Sequence, residues 1–463
     1  MQLNFPAHIF RAYDIRGKIT PQVIEAIGHA FASHLTHHQI KHIVLGYDAR
    51  VSSPQYAYII QTILEKAGIE VEALGCCSTP MMYFFAQKHG NGMMLTASHN
   101  PSTDQGVKWL MNGLPPTPED IQQIGKLAQK SMSNTGGYPA IQPAISKKHA
   151  KLYCDYLIQD ICLKRPLKVV VDGLHGSAGQ YVAPVLQALN CEVITLRCEA
   201  NGQFPDHAPD PSKEKHLQKL KNAVLEHHAD VGLALDGDGD RLVVVDEHAN
   251  MITADQLLCF FAEQCLKEHP HQHIAYDVKC SSVVKETILN TNGIPVMLRT
   301  GSTFLRRYIL QNNAVFGGEY AGHYVFNDGR GQGYDDGLYA GLRVLEYFTQ
   351  SNKAQISSLF KHQQRIATED IYIYIDPQKT AKLLQTLQKK SHQVNAILTD
   401  IDGVRLDFKA GFGLIRTSNT GEYLTLRFDA IDQTTLNEIQ TTMINLLKED
   451  FPEIVVQIFK EIR

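Results

Sequence analysis

Gly92-Met93-Met94-Leu95-Thr96-Ala97-Ser98-His99-Asn100-Pro101 decides how the rest of the chain is read. A short apolar run bounded by glycine and proline reads as a buried strand. It ends in a small-residue turn that sets one serine beside a histidine and an asparagine. Residues just past the carboxyl end of a strand sit where open α/β sheets place their chemistry. Pro101 cannot donate to a ladder and fixes the exit of the turn. Ser98 is therefore expected on a rigid, exposed elbow, although an ordinary polar turn would use the same residues. Gly106-Val107-Lys108-Trp109-Leu110-Met111 reads as the strand leaving the elbow.

Working outward, the chain alternates strand and helix. Upstream, residues 21–38 carry a helical pattern opened by Pro21. His42-Ile43-Val44-Leu45-Gly46-Tyr47-Asp48 reads as a buried strand with the polar exit Asp48-Ala49-Arg50. A helix near 54–67, a strand at 70–74 and a helix near 81–89 follow. Downstream, Ser131-Met132-Ser133-Asn134-Thr135-Gly136-Gly137 is a linker candidate. The plan then returns with strands at 167–173, 191–196 and 231–235. Asn201 to Ser212 makes a long loop holding Pro205, Pro209 and Pro211, and such loops are often functional. A third round has strands at 273–278, 294–298 and 314–316, with helices at 253–268, 282–290, 303–311 and 337–350. Asp335-Asp336 puts negative charge at the favoured end of the last of these helices. This rhythm implies βαβ units and a largely parallel sheet. From about 367 the pattern changes to a strand at 369–375, a helix at 378–390, short strands through 428 and a helix at 433–449, as in a smaller α+β domain.

Length and composition bound the class. A chain of 463 residues suggests roughly three to four domains at ~100–200 residues each. An apolar share of 44% with 20% charged residues describes an ordinary globular protein. A net charge of −4 gives no basic footprint for nucleic acid. No apolar run is long enough to span a bilayer, and Met1-Gln2-Leu3-Asn4-Phe5-Pro6 lacks the pattern of a signal peptide. Nine scattered cysteines without a CxxC pair point to reduced thiols in the cytoplasm.

Three further stretches carry chemistry. Asp236-Gly237-Asp238-Gly239-Asp240-Arg241 precedes a strand at 242–246. In an extended loop, alternate side chains face one way. Three carboxylates on one side, with glycines allowing close approach, make a hard-cation site suited to Mg²⁺. An EF-hand reading fails, because Arg241 stands where the sixth-position glycine is required. A solvated acidic turn would set three uncompensated carboxylates against one another. Arg416-Thr417-Ser418-Asn419-Thr420-Gly421 gathers a guanidinium, hydroxyls and an amide. Arginine forks onto phosphate oxygens, and turn amides add donors. Gly318-Glu319-Tyr320-Ala321-Gly322-His323 could present a carboxylate and an imidazole to sugar hydroxyls. Each of the last two stretches would equally serve as a polar turn. His269-Pro270-His271-Gln272-His273 has the look of a metal tract, but a polar helix-to-strand loop explains it. A serine, a divalent cation, a phosphate grip and a hydroxyl-binding loop together fit phosphoryl transfer on a sugar phosphate.

With Phe10-Arg11-Ala12-Tyr13-Asp14-Ile15-Arg16-Gly17 these stretches occur in the order of the α-D-phosphohexomutase superfamily. The chain resembles its phosphomannomutase/phosphoglucomutase branch over essentially its whole length. The resemblance implies three similar α/β mixed-sheet domains plus a smaller, lid-like C-terminal α+β domain around a central cleft. The corresponding segments are 1–150, 151–251, 252–366 and 367–463. It implies that a phosphorylated Ser98 donates to a hexose phosphate and that the resulting 1,6-bisphosphate turns over and returns the other phosphate. Ser98, Asp236, Asp238 and Asp240 would hold Mg²⁺. Arg16 and Arg241 would stabilise the phosphoserine, with His99 beside it, and Lys108 would be the general acid/base. Glu319 would bind the ring hydroxyls, with Tyr13, Lys279, Ala321 and His323 also lining the substrate site. Arg416, Ser418, Asn419 and Thr420 would hold the phosphate that is not transferred. Hexose 1,6-bisphosphate would act as activator, and the expected unit is a monomer that takes small sugar phosphates and neither nucleic acid nor membrane. Two departures bear on the sugar: Tyr320 and Ala321 replace Met and Ser of the common sugar loop, and Ser302 stands where the branch has histidine. The alternatives are a phosphoglucosamine mutase, a sugar-phosphate-binding scaffold without turnover, and a metal-dependent phosphatase.

Overall fold

A computed structural model of the chain describes residues 5–132, 137–360, 365–418 and 423–462. Asn419, Thr420 and most of the linker candidate lie outside the described residues. The chain forms two compact units. The first comprises Met1–Leu257, Arg306–Asn313 and Ala321–Phe360; the second comprises Leu258–Leu305, Ala314–Tyr320 and Lys361–Arg463. Among the described residues no helix is long and apolar enough to cross a membrane.

The first unit holds two sheets built to one plan. In one, Gly92–Leu95 and Glu70–Cys76 flank His42–Tyr47 in parallel; Gln105–Leu110 pairs antiparallel with Gly92–Leu95, and Ile15–Gly17 antiparallel with Gln105–Leu110. In the other, Val231–Leu235 and Glu192–Leu196 flank Lys168–Asp172 in parallel, and Leu242–Asp246 returns antiparallel beside Val231–Leu235. The expectation of largely parallel sheets is thus corrected at the two places that matter. The loops after Leu95 and after Leu235 each close an antiparallel pair. A parallel crossover needs a dozen residues or more, and these loops are shorter. They leave the sheet at one point and come straight back, which keeps them stiff.

The helices begin where the sequence supplies caps. Thr20 accepts from the amide of Val23 ahead of Pro21–His37, and Ser78 from that of Met81 ahead of Thr79–Ala86. Thr117 and Asp120 form a capping box at Pro118–Lys130. Asp336 caps Gly337–Gln350 through Tyr339. Pro21–His37 buries Ile24, Ile27, Phe31 and Leu35, a stripe at helical spacing, in the core beneath the first sheet.

Gly106, on the strand leaving the serine loop, shows how tightly that loop is held. A Cβ there would lie 2.5 Å from the Ile15 carbonyl oxygen and 2.6 Å from that of Thr96. Both are backbone atoms and cannot swing aside. Gly106→Ala is therefore expected to cost about 1–3 kcal/mol, measured as a lower denaturation midpoint with unchanged m-value.

In the second unit His273–Asp277 lies between Ile294–Leu298 and Phe316–Gly318, all parallel. The short strand expected at 314–316 forms two residues later, because Phe316, Gly317 and Gly318 make the ladder with Ile274, Ala275 and Tyr276. A six-stranded antiparallel sheet follows, with Gly411–Thr417 and Tyr423–Ala430 as its centre. Its core gathers Leu406, Leu426, Phe428, Leu436 and Met443. The helix expected at 433–449 ends at Asn445, and Pro452 opens a separate helix, Pro452–Ile462.

Candidate active site

Ser98 sits in the first unit with φ at 50°, a left-handed conformation uncommon outside glycine. Its own amide donates to Thr96 Oγ1 at 2.8 Å, which tightens the turn. The elbow is not exposed as expected: Ser98 is 1% accessible. The loop after Leu235 covers it so closely that a Cβ on Gly237 would stand 2.5 Å from the Ser98 carbonyl oxygen. Ser98 Oγ donates to Asp236 Oδ2 at 2.7 Å and lies 3.1 Å from His99 Nδ1. Burial first, then Arg241 and Arg16, push His99 well below the ordinary histidine range, so the ring is neutral.

The aspartates do converge. Asp236, Asp238 and Asp240 are buried and can each offer an oxygen within 4.8 Å of the others. Asp236 Oδ1 accepts the amides of Gly239 at 3.0 Å and Arg241 at 3.2 Å, which fixes the loop around it. Thr79 Oγ1 donates to Asp238 Oδ2 at 2.6 Å, and Lys108 Nζ lies 2.7 Å from the same oxygen. Lys108 also bonds Asp240 Oδ2. Among the described residues, one oxygen each of Asp238 and Asp240 is buried with no hydrogen-bond partner, the Asp240 oxygen lying 3.5 Å from His323 Nδ1. Burial, then Asp238 and Asp240, hold the Asp236 carboxyl well above the usual range. Burial alone would raise Asp240 too, but Lys108 and then His323 outweigh it and pull it down. Burial opposes charge on Lys108, yet Asp238 and Asp240 keep its proton on well above the usual range. Buried carboxylates this close, with oxygens left unsatisfied, fit a divalent cation better than the lysine alone.

Around this centre the arginines are braced. Arg16 contacts Asp14 at 2.6 Å and donates to Asn100 Oδ1 at 3.2 Å. Arg241 Nε donates to His323 Nε2 at 3.0 Å, and His323 Nδ1 faces Asp335 Oδ2 at 2.7 Å. The arginine on Nε2 assigns the ring proton to Nδ1. Tyr13, on the turn with Arg16, is only partly buried; burial, then Asp14, raises its phenol.

Glu319, Lys279, Arg416 and Ser418 belong to the second unit. Glu319 is buried and accepts the Gly301 amide at 2.6 Å. The adjoining Tyr320 amide donates to Asp277 at 3.0 Å. Lys279 Nζ reaches Asp370 at 2.5 Å and stands 5.1 Å from the centre of the Tyr320 ring, which the Arg427 guanidinium covers at 3.5 Å. Arg416 Nε donates to Asp402 at 2.9 Å, and the Thr300 amide donates to the same oxygen at 3.1 Å. Ser418 is half-buried, its amide on the Tyr423 carbonyl. Ala321 and His323 lie on the chain that re-enters the first unit. Thr79, Asp277 and Asp402 are not singled out by the sequence, where each is one polar residue near an element end, and only the fold supplies its partner. Asp335 reads from sequence as charge at a helix start; its contact with His323 comes from the fold.

Three models of the phosphoglucomutase/phosphomannomutase family match in order: alpha/beta/alpha domain I at residues 7–135, domain II at 151–249 and domain III at 253–366. The chain belongs to this family. A phosphomannomutase/phosphoglucomutase of Pseudomonas aeruginosa is 35% identical over 451 residues, 96% of each chain. A phosphoglucomutase of Neisseria gonorrhoeae is 36% identical, over 93% of this chain and 95% of its own. The crystal structure of a phosphoglucomutase/phosphomannomutase family protein from Burkholderia thailandensis superposes with a TM-score of 0.86 at 32% identity, covering 96% of this chain and 98% of its own. Membership in the mutase family accounts for the mixed α/β sheets and for a further C-terminal domain beyond the three that match.

Proposed function

We propose that this phosphohexomutase interconverts hexose 6-phosphate and hexose 1-phosphate, with mannose and glucose phosphates as substrates. One observation carries the reading: a buried serine hydroxyl bonded at 2.7 Å to a cluster of three buried aspartates. In the reaction the bond from Ser98 Oγ to phosphorus breaks as one forms to a sugar hydroxyl oxygen, and the hydroxyl proton ends, in net, on Ser98 Oγ. The other phosphate then returns to Ser98 from the 1,6-bisphosphate. Mg²⁺ bound by Asp236, Asp238, Asp240 and the phosphoserine would neutralise charge on the transferring group. Arg16 and Arg241, already braced by Asp14 and His323, meet the phosphoserine's charge without reorganising. Lys108 enters as a proton donor, since two carboxylates hold its proton; it can accept one only when those carboxylates are engaged elsewhere. Burial of the whole cluster keeps water from the phosphoserine, which separates a mutase from a phosphatase.

The proposal divides the labour by segment: 1–150 carries the serine, 151–251 the metal loop, 252–366 the sugar loop and 367–463 the phosphate grip. The family matches support the first two boundaries. Turnover of mannose, glucose and glucosamine 1-phosphates by one preparation, with released inorganic phosphate followed in parallel, tests the reading. Turnover of the glucosamine ester alone would move the chain to the phosphoglucosamine branch. Phosphate release at rates comparable with isomer formation would make it a phosphatase.

Arg416 is assigned to the phosphate that does not react, and such uniform binding affects KM more than kcat. Arg416→Ala is expected to weaken apparent binding by about 1–3 kcal/mol, as for a lost charge-assisted pair. It should also make activity depend more strongly on added hexose 1,6-bisphosphate, because a loosened grip lets the intermediate escape. Steady-state kinetics with and without that activator measure both effects; unchanged values would place the grip elsewhere.

A further inference from the structure

Arg50 follows the strand His42–Tyr47 and is fully buried, 0% accessible. A guanidinium carries five N–H donors in a rigid fork. Here every donor is used. Nε donates to Asp48 Oδ2 at 3.0 Å. Nη1 donates to the carbonyls of Pro101 at 2.5 Å and Asp104 at 3.0 Å. Nη2 donates to those of Ser98 at 2.9 Å and Asn100 at 2.7 Å. All but one of these bonds end on the backbone of the serine loop. Asp48 holds the same loop from its other end, accepting Thr96 Oγ1 at 2.8 Å, and is itself fixed by Ser53 Oγ at 2.6 Å and the Arg50 amide at 3.0 Å. The guanidinium also lies 5.2 Å from the centre of the Phe204 ring, and Arg50 bridges to Gly202 on the proline-rich loop.

The loop so held contains the left-handed Ser98. A non-glycine residue keeps that conformation only where its surroundings impose it. The same conformation aims Oγ at Asp236. We propose that Arg50, seated by Asp48, is a positioning residue for phosphoryl transfer: it sets the backbone of the loop so that Ser98 Oγ stands at the cluster of Asp236, Asp238 and Asp240. This rests on the assignment of Ser98 as phosphate carrier. The described contacts of Arg50 are to Asp48, the serine loop, Phe204 and Gly202, none of them assigned to the sugar, so its effect falls on the transfer step and not on binding. A displacement of about 1 Å at a reacting atom costs on the order of 10²-fold in rate. Lysine cannot substitute, because one ammonium with three donors cannot span acceptors on opposite edges of a planar fork.

The test compares wild type, Arg50→Lys and Arg50→Ala as full-length protein with Mg²⁺. Each is first phosphorylated with glucose 1,6-bisphosphate, and transfer of the labelled phosphate from Ser98 to glucose 6-phosphate is followed in a single turnover. Arg50→Lys is expected to remain folded by circular dichroism, to transfer on the order of 10²-fold more slowly and to keep KM within about twofold. Arg50→Ala opens a guanidinium-sized space, and millimolar guanidinium is expected to restore its transfer about tenfold where methylammonium does not. Transfer by Arg50→Lys at the wild-type rate, or a rise in KM with kcat unchanged, overturns the proposal. So does loss of the folded state in both variants, which would assign Arg50 to folding alone. A wild-type protein that takes up no phosphate on Ser98 removes the proposed function itself, a result distinct from equal uptake and equal transfer by wild type and variant.

Discussion

Ser98→Ala is expected to abolish mutase activity, with kcat/KM down on the order of 10³-fold or more, because in the proposed route both half-reactions pass through the Ser98 oxygen. That loss corresponds to at least ~4 kcal/mol of transition-state stabilisation. The loop geometry supplies a control. Ser98 sits at φ 50°, which alanine tolerates poorly and glycine freely. Ser98→Gly should therefore be at least as stable as Ser98→Ala and equally inactive. Activity lost in both, against a higher melting temperature for the glycine variant, separates chemistry from folding. Intact-protein mass spectrometry should find one phosphate on the wild type after treatment with hexose 1,6-bisphosphate and none on either variant. A Ser98→Ala enzyme with near-wild-type kcat would refute the assignment, unless His99 or water were shown to take over.

Removing the divalent cation should have an effect of similar size. Exhaustive chelation is expected to stop turnover, and Asp238→Asn to weaken Mg²⁺ binding and activity together. Stability gives an independent readout. Burial and the neighbouring carboxylates hold Asp236 well above the usual carboxylate range in the folded, metal-free protein. A folded-state pKa above the unfolded one favours folding at low pH. The metal-free protein should therefore lose stability as pH rises from about 4 through the raised Asp236 value. On the proposed assignment Mg²⁺ binds the ionised carboxylates, so adding it should remove that slope near neutral pH. At 100 times its Kd a ligand adds about 2.7 kcal/mol of stability. Asp238→Asn should forfeit most of that gain while losing little stability without metal, because it also relieves repulsion around Asp236. Full activity after chelation, or equal Mg²⁺ stabilisation of Asp238→Asn, would rule the site out.

The local patterns that the sequence displays were enough for the elements and for the order of the functional loops. The apolar run Gly92–Leu95, the Pro21 helix start and the Asp336 cap lie where their residue types dictate. The alternating aspartates do bring an oxygen each within 4.8 Å of the others. Strand direction was not legible, because pairing sense depends on partners far along the chain; the antiparallel returns at Gln105–Leu110 and Leu242–Asp246 are properties of the sheets. Burial of Ser98 was missed for the same reason, since its cover comes from Gly237, far away in sequence. Arg50 is the sharpest case. As a sequence it is one arginine after a strand, with nothing to set it apart from a solvated surface charge. Its meaning comes from the carbonyls of Ser98, Asn100, Pro101 and Asp104, which point inward only because the loop turns back on itself. Residue type and spacing determine which groups are available and which local shape each stretch prefers. Which carbonyl meets which guanidinium, and which oxygens lose water, is decided by packing between segments, and those two facts set the charge states and the aim of the site.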